Sequence, residues 1–361
     1  MSDLDATSAL YSARPRIIVE GRERQDLADG VVSLSVHETR DGIYRCEISF
    51  VNWGEGGQDV GFLYFDRDLI DFGHGISVEM GEGDTAAELF SGYITGIEGR
   101  FLQERPPELL VLAEDRLQDL RMVRRTRTFE DVTVDDVVGQ IAGEHGLQTE
   151  IDIDSPTYRV LAQMNQSDLA FLRDIARQVD AEVWISADTL HVQSRARRNS
   201  GELSLRYQQR LKEFSVLADL AHQRTHLTVG GWDVAAKEGL AAEVQASAIA
   251  SELNGGQSGG AILADSFGTR REALVHLTPA SNDEAQTLAQ AYYRKMARRF
   301  ITGRGIAEGD GRLRAGAHVV LEGIGDLFNG DYYVNDVHHV FSVQQGYQTF
   351  ISVERAGLGS A

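Results

Sequence analysis

The first hundred residues alternate between apolar and polar positions with a period of two. In the clearest case, polar residues alternate with Tyr44, Cys46, Ile48 and Phe50. Such alternation is typical of a strand with one buried face. Further strand-like runs, separated by glycine-rich segments, lie at 61–65, 76–80, 90–101 and 109–113. Short antiparallel strands with turns between them predict a small β-barrel over residues 14–115.

The period then changes to that of a helix. Thr133 and Asp136 have the spacing of a capping box, and apolar residues follow at helical spacing until Gly146. Ser167 is placed to cap a second helix. Two strand-like runs follow that helix, at 182–185 and 189–192. We therefore predict an α+β insert over residues 116–205.

Strand-like patterns resume in the last third of the chain, at 212–216 and 225–232. An alanine-rich stretch and the glycine run 254–260 interrupt them, and we interpret the glycine run as a flexible loop. A further helix is predicted from the capping box Ser281 and Glu284 to Gly303. The second barrel would then be split by a helical and loop insertion that packs with the α+β region. The predicted bounds are 206–235 and 304–357 for the barrel and 236–303 for the insertion.

Two parts of the chain repeat one another about 240 residues apart. The matched positions of the first copy are Gly73, Glu79, Phe90, Gly92 and Phe101. Those of the second copy are Gly316, Glu322, Phe328, Gly330 and Phe341. We expect the copies to superpose in this order, with Asn329 and Gly330 forming a hairpin turn and with the last phenylalanines packed equivalently. The fold class is therefore a mainly β α+β protein with two similar small antiparallel barrels.

Length and charge narrow the class of protein. A chain of 361 residues exceeds what one core usually holds, so two or three domains are expected. The formal net charge of -20 argues against a protein that coats nucleic acid or anionic membranes. The N-terminus has no basic and apolar leader pattern, and no stretch approaches a membrane span, so we expect cytoplasmic synthesis and no membrane insertion. The single cysteine, Cys46, falls on an apolar strand face and is expected to be a buried thiol.

The sequence contains only weak candidates for a metal-binding or catalytic site. His338 and His339 are adjacent on a predicted strand and point to opposite faces, so they cannot bind one ion together. His222 and His226 would share a face only on a helix, whereas this segment is predicted to be a strand. No catalytic or phosphate-binding motif is present, and the many carboxylates are interpreted as solvated surface rather than a glycosidase pair. We predict no catalytic, metal-binding or cofactor-binding residue.

Two further groups have alternative interpretations. Trp184 and Trp232 are expected to be core aromatics rather than exposed binding anchors. A basic run is either a contact for an acidic partner or a solvated or intersubunit surface, and both interpretations stay open. The run consists of Arg121, Arg124, Arg125 and Arg127.

Beyond these patterns, several short segments resemble a known family. The longest, at 163–172, reads Gln-Met-Asn-Gln-Ser-Asp-Leu-Ala-Phe-Leu. Others lie at 181–183, 189–192, 227–233, 267–271, 332–334 and 346–347. In order and spacing they resemble the late control gene D family of contractile-tailed phages and the N-terminal hub part of the type VI secretion spike protein VgrG. The resemblance runs roughly from residue 14 to residue 355.

This resemblance implies a baseplate hub without enzymatic activity. Members of the family are homotrimers in which two similar barrels per chain present a pseudo-six-fold ring, seating a hexameric inner tube on one side and a trimeric spike on the other. The chain ends soon after the second barrel, so we expect the spike to be a separate protein, with wedge or sheath-initiator proteins as further partners. The particle would be a phage tail or an injection system. The alternatives are a baseplate-associated cell-wall hydrolase and a receptor-binding tail-tip module.

Overall fold

The computed structural model describes residues 14–56, 59–81, 87–233 and 237–359. Within the described residues, the first β region, which ends near residue 115, contains nine strands and one short helix. They are β1 (Arg16–Val19), β2 (Arg22–Glu23), α1 (Gln25–Gly30), β3 (Val31–Thr39), β4 (Arg45–Val51), β5 (Gly54–Gly56), β6 (Asp59–Gly61), β7 (Gly75–Met80), β8 (Ala87–Arg100) and β9 (Glu108–Glu114).

The α+β insert follows, and its predicted caps are confirmed. Thr133 and Asp136 form both halves of the capping box, and the Ser167 side chain accepts a hydrogen bond from the Ala170 N–H. The elements are α2 (Leu117–Arg121), β10 (Arg124–Val132), α3 (Val134–Glu144), β11 (Gln148–Asp152), β12 (Tyr158–Ser167), α4 (Asp168–Gln178), β13 (Ala181–Ser186) and β14 (Thr189–Ser194).

The remaining chain contains the second β region and the insertion within it. In order, the elements up to the end of the insertion are β15 (Glu202–Arg206), β16 (Leu211–Ala218), β17 (His226–Asp233), β18 (Glu238–Gln245), a 3₁₀ helix (Ala246–Glu252), β19 (Gln257–Ser258), α5 (Gly259–Phe267), β20 (Arg271–Leu274) and α6 (Asn282–Arg298). The final strands are β21 (Ile301–Glu308), β22 (His318–Glu322), β23 (Gly330–Ser342), β24 (Gly346–Arg355) and β25 (Gly357–Leu358).

Several predictions about this last part need correction. The glycine run is not all loop, because Gly259 and Gly260 form the first turn of α5, which Ser258 caps. The predicted cap of α6 is present, since Ser281 accepts from the Glu284 N–H. However, α6 ends at Arg298, and Gly303 lies within β21. β15 crosses the predicted boundary at 205/206, because Glu202–Arg206 pairs in parallel with β22 of the second β region.

One 13-stranded sheet joins the two β regions. Its main path runs β16-β21-β24-β23-β3-β4-β9-β8-β7-β1-β2, and β22 and β15 extend from β23. The join is the antiparallel pair β3 and β23, in which Leu34 lies opposite Phe341. The chain is mainly β, as predicted, but its described sheets are not closed into barrels. The reason is that β23 pairs with a strand of the other region as well as with its neighbour β24.

The two repeated segments begin with the same backbone arrangement. The Gly73 N–H donates to the Ile94 carbonyl, and the Gly316 N–H donates to the Val334 carbonyl, both at 2.8 Å. Both glycines have a positive φ, of 79° and 89° respectively, which favours glycine. Each copy therefore leads into its first strand through an equivalent glycine turn.

Further along, the strand pairing differs from the sequence alignment of the copies. Val78 lies opposite Phe90 in the first copy, whereas the equivalent Leu321 lies opposite Gly330. Gly330 thus occupies the position of Phe90, and Tyr332 that of Gly92. The displacement arises because Asp331 and Tyr332 separate Gly330 from Tyr333 in the second copy, whereas Gly92 and Tyr93 are adjacent in the first.

The hairpin prediction at Asn329 and Gly330 is also corrected. Residues 323–329 separate β22 from β23, and Gly330, with a φ of 135°, is the first residue of β23. The Asn329 side chain instead accepts from the Ile324 N–H within this longer turn. Phe328 packs beside the second β core, and its carbonyl accepts from the Tyr332 hydroxyl.

The closing phenylalanines do not pack equivalently. Phe341 is 3% exposed and belongs to the core of the first β region, because β23 pairs with β3 there. Phe101 lies just beyond β8 and is 66% exposed. The remaining matched pair keeps a common contact: Glu79 forms an ion pair with Arg16, and Glu322 forms one with Arg206.

Four hydrophobic clusters underlie these regions. The first and second belong mainly to the first β region and the α+β insert, and the third and fourth to the second β region and its insertion. The Cys46 thiol is buried in the first cluster, as predicted. None of the helices in the described ranges is long and apolar enough to cross a membrane.

Gly92 is predicted to tolerate no side chain. It lies within β8 rather than in a turn, and a Cβ there would be 2.3 Å from the Glu114 carbonyl oxygen and 2.6 Å from the Phe90 ring. We expect Gly92→Ala to lower the free energy of unfolding by about 1–3 kcal/mol, since backbone must move to make room. Urea unfolding of the purified chain measures this change.

The matched control is Gly139→Ala. Gly139 lies in α3 with no atom near its Cβ position, so the change should stabilise the protein by about 0.5–1 kcal/mol through helix propensity. If the Gly92→Ala protein were as stable as the original, β8 and β9 could not approach each other as closely at Gly92 as described.

Candidate functional site

Arg198 is a charged side chain at the centre of the molecule, with 2% of its surface exposed. Its Nη1 donates to Glu182 Oε2 at 2.9 Å, and its Nη2 donates to the Ala315 carbonyl at 2.8 Å. The guanidinium also lies 3.9 Å from the centre of the Trp184 ring. A Cβ on Gly316 would be 2.2 Å from Arg198 Nε, so the repeat glycine leaves space for this arginine.

Arg195 forms a second buried centre beside Arg198. Its Nη2 donates to Glu354 Oε1 at 2.5 Å, and its guanidinium lies 3.5 Å from the centre of the Tyr333 ring. The Tyr333 hydroxyl donates to Glu182 Oε2 at 2.5 Å. Glu182 therefore connects the two arginines, and β13 of the insert is fixed to β23 and β24 of the second β region.

The same cluster reaches the other two regions. Arg298, at the end of α6, donates to both carboxylate oxygens of Asp180 and of Glu252. Arg40, after β3, donates to Glu354 at 3.2 Å. We define the central ion network as Arg40, Asp180, Glu182, Arg195, Arg198, Glu252, Arg298 and Glu354.

In two carboxylates of the network, neighbouring arginines lower the pKa in spite of burial. Burial alone would raise the pKa of Glu354, but Arg195 and Arg40 outweigh it and hold that pKa below its ordinary value. Burial likewise opposes ionisation of Glu252, and Arg298 lowers its pKa. Removing one member would leave a buried charge without its partner, which is far more costly than breaking a surface ion pair.

A second feature is an exposed aromatic cluster on the first β region, formed by Trp53, Phe62, Phe65 and Phe101. The centres of the Trp53 and Phe62 rings are 5.3 Å apart, and those of Phe62 and Phe101 are 6.0 Å apart, both edge to face. The four side chains remain between 37% and 66% exposed although they contact one another. Contiguous exposed aromatic surface is typical of protein interfaces.

Gly99 lies against this cluster and leaves space for two of its rings. A Cβ there would be 3.1 Å from both the Phe65 and Phe101 rings. Trp53 follows β4, Phe62 and Phe65 follow β6, and Phe101 follows β8. β4 and β8 belong to the large sheet, whereas β6 pairs with β5 in a separate two-stranded sheet. Of the four, only Phe101 is marked in the sequence, because the other three are not part of the repeat.

The histidines and tryptophans considered as candidate sites occupy different environments. His338 contacts the Ser35 hydroxyl, whereas His339 contacts the Leu313 carbonyl from the opposite face. Trp184 is half-buried beneath Arg198, but Trp232 is exposed, which corrects its assignment to the core. No group of three His, Cys, Asp or Glu side chains within the described ranges is arranged to hold a metal ion.

The basic run has partners within the chain. Arg121 pairs with Glu114, and Arg125 and Arg127 both pair with Glu144 and Asp168. Arg124 donates to the Asn165 carbonyl. This surface is consequently a set of internal ion pairs along β10.

Solved structures show the class of fold. A prophage MuSo2 43 kDa tail protein from Shewanella oneidensis matches with a TM-score of 0.70 at 13% identity, over 96% of this chain and 99% of that one. A tail protein from Neisseria meningitidis MC58 gives 0.66 at 12% identity, over 97% and 98%. The E. coli c3393 protein, described as a component of the type VI secretion system, gives 0.56 at 12% identity, over 92% and 76%. The fold is thus one found in tail proteins.

The family follows from a sequence model described as the Alg8 N-terminal domain, which matches residues 11–342. The chain belongs to this family. It is a different model from the late control gene D and VgrG families that the sequence resembles. No curated protein sequence matches the chain.

Arg198→Met tests the central ion network. We expect a loss of about 3–5 kcal/mol in the free energy of unfolding, because Glu182 stays buried after losing one of its cationic partners. Chemical denaturation followed by circular dichroism measures the loss.

Arg206→Met is its control. The Arg206–Glu322 pair is exposed, so its removal should cost no more than about 1 kcal/mol. Equal losses in the two variants would rule out a special contribution from the buried network.

Proposed function

We propose that this chain is a structural component of a contractile tail or injection-system baseplate, where it acts as a trimeric hub between a hexameric inner tube and a separate spike. The observation that carries the proposal is the repeated β unit. One chain presents two copies with equivalent glycine turns, joined through the pair β3 and β23. The full-length likeness to tail proteins supports the same conclusion.

The repeat gives a physical reason for a trimer. A hexameric ring meets a three-fold partner with mismatched symmetry, so half of its contacts have no counterpart. Three chains with two similar units each offer six similar docking surfaces. The mismatch is then accommodated within each chain, where covalent linkage and a continuous sheet hold the two units.

The central ion network suits such an adaptor. It connects the first β region, the insert, the insertion and the second β region through buried ion pairs. Buried pairs of this kind have short, directional contacts and tolerate little displacement. The six docking surfaces would therefore keep fixed relative positions under mechanical load.

We assign no catalysis to the chain, and we place it in the cytoplasm during assembly and in the baseplate of the particle afterwards. The aromatic cluster is proposed as a contact with a neighbouring baseplate protein, because its rings contact one another and remain exposed. Wedge, sheath-initiator, tube and spike proteins are the proposed neighbours.

The trimer is tested by native mass spectrometry of this chain, alone and co-expressed with a candidate spike protein. The expected complex contains three copies of the chain. A stable complex with two or six copies would contradict the proposed symmetry. Peptidoglycan turnover by the same preparation, abolished by one Asp or Glu substitution, would instead support the hydrolase alternative.

The aromatic cluster is tested by the double change Phe62→Ser and Phe101→Ser. Both side chains are exposed, so the unfolding midpoint should stay close to that of the original, while incorporation into assembled particles should fall at least several-fold. The control is Phe267→Ser, an exposed aromatic in α5. Normal incorporation of the double variant would show that the aromatic cluster is not a contact in the assembled particle.

A further inference from the structure

A pocket of about 510 Å³ lies between the α+β insert and the helical insertion. It is lined by the start of β12, the second half of α4, the segment 276–279 and α6. The lining includes the apolar side chains of Leu161 and Leu288 and the ring of Tyr292. Sites for small molecules have volumes of about 300–1,000 Å³ and combine apolar walls with a few polar groups. We call this feature the β12–α6 pocket.

The Tyr158 hydroxyl is a buried donor without a partner. Tyr158 lines the pocket with 5% of its surface exposed, and its hydroxyl bonds to no other described residue. A buried hydroxyl in this state destabilises the folded chain, and such groups are rare in native proteins. Burial and the charge of Glu284 raise the pKa of Tyr158, so the hydroxyl stays protonated and able to donate.

The Glu284 carboxylate supplies an acceptor to the same pocket. Glu284 is 8% exposed, and its Oε2 accepts from the Ala280 N–H at 2.8 Å, beside the first turn of α6. A carboxylate has about four acceptor sites, so this one bond leaves Glu284 able to accept more. Tyr158 does not donate to it, so a donor and an acceptor line one pocket without bonding to each other.

The charges that line the pocket cancel. With His276 neutral, the lining has two cations, Arg177 and Lys295, and two carboxylates, Asp174 and Glu284. Arg177 pairs with Asp174 at 3.2 Å, and the remaining two charges have opposite signs. Because binding sites match the charge of their ligands, this lining favours a neutral ligand over an anion or a cation.

We propose that the β12–α6 pocket binds a neutral sugar, whose hydroxyls accept from Tyr158 and donate to Glu284. The proposal goes beyond the hub function and does not depend on it. A hydroxyl both accepts and donates hydrogen bonds, so it matches the two kinds of group in the pocket. The C–H faces of a sugar ring pack against apolar and aromatic side chains, which Leu161, Leu288 and Tyr292 provide.

A sugar fits these polar groups better than a protein segment does. The Glu284 charge acts on the Tyr158 hydroxyl, so the acceptor and the donor are near each other. A trans peptide group is planar and holds its N–H and its carbonyl on opposite sides, so one peptide unit does not reach both. Neighbouring hydroxyls of a sugar ring do.

The experiment is saturation-transfer NMR of sugars with the full chain. Glucose, galactose, mannose and N-acetylglucosamine are the neutral probes, and glucuronate and glucosamine are the charged ones. We expect at least one neutral sugar to bind, and to bind more tightly than either charged sugar.

Tyr158→Phe removes only the hydroxyl. It should weaken binding of that sugar about three- to tenfold, because one hydrogen bond is lost. Its unfolding midpoint in urea should equal or exceed that of the original, because the deleted hydroxyl has no partner in the free protein.

The matched control is Tyr293→Phe, at a buried tyrosine of α6 that does not line the pocket. The Tyr293 hydroxyl donates to the Arg224 carbonyl at 3.3 Å. Its removal should lower the unfolding midpoint and leave sugar affinity within about twofold of the original. Lys295→Gln should also change the affinity for a neutral sugar by less than about twofold, since the ligand has no charge to pair with it.

Absence of binding for all the neutral sugars would overturn the proposal, and so would equal affinity of the original and of Tyr158→Phe for the sugar that binds. A lower unfolding midpoint in Tyr158→Phe would show that this hydroxyl already has a partner in the free protein, which contradicts the assignment. Tighter binding of glucuronate, lost in Lys295→Gln, would assign the pocket to an anionic ligand instead.

Discussion

The position of Arg198 constrains the rest of the structure. An arginine with so little exposed surface is tolerated only where carboxylate, carbonyl and aromatic partners surround it. Those partners are Glu182 and Trp184 of β13 and the Ala315 carbonyl, which lies before β22. Ion pairs of Arg195, Arg298 and Arg40 extend the arrangement to every region. The ion network therefore determines how four separately packed hydrophobic clusters are oriented, because apolar contacts alone are not directional.

The sheet supplies the second constraint. Since β23 pairs with both β24 and β3, the two repeated units share one hydrogen-bonded ladder instead of closing separately. A shared ladder fixes the spacing and rotation between the units, and a register change would exchange the buried and exposed faces of β23. Phe341 illustrates the consequence: it is part of the second copy by sequence, yet it packs in the core of the first.

Local features of the fold were predictable from the sequence. Thr133, Ser167 and Ser281 cap helices because a side-chain oxygen satisfies a free N–H within three residues, which spacing alone reveals. Long-range features were not. The pairing of β3 with β23 joins residues about 300 positions apart, and only the strand pairing shows that Gly330, rather than Phe328, takes the position of Phe90. The ion network could not be predicted for the same reason. Arg195 and Glu354 are remote in sequence, so the sequence does not distinguish these buried charged residues from solvated ones.

In the proposed function, one chain holds two similar docking units at a fixed angle for a six-fold partner. A cryo-electron microscopy reconstruction of the assembled baseplate, computed without imposed symmetry, measures this directly. We expect three copies of the chain around the axis, with six β units at equal radius and about 60° apart, and with the Arg198–Glu182 contact intact in each copy. Six copies around the axis, or two units of one chain at different radii, would contradict it.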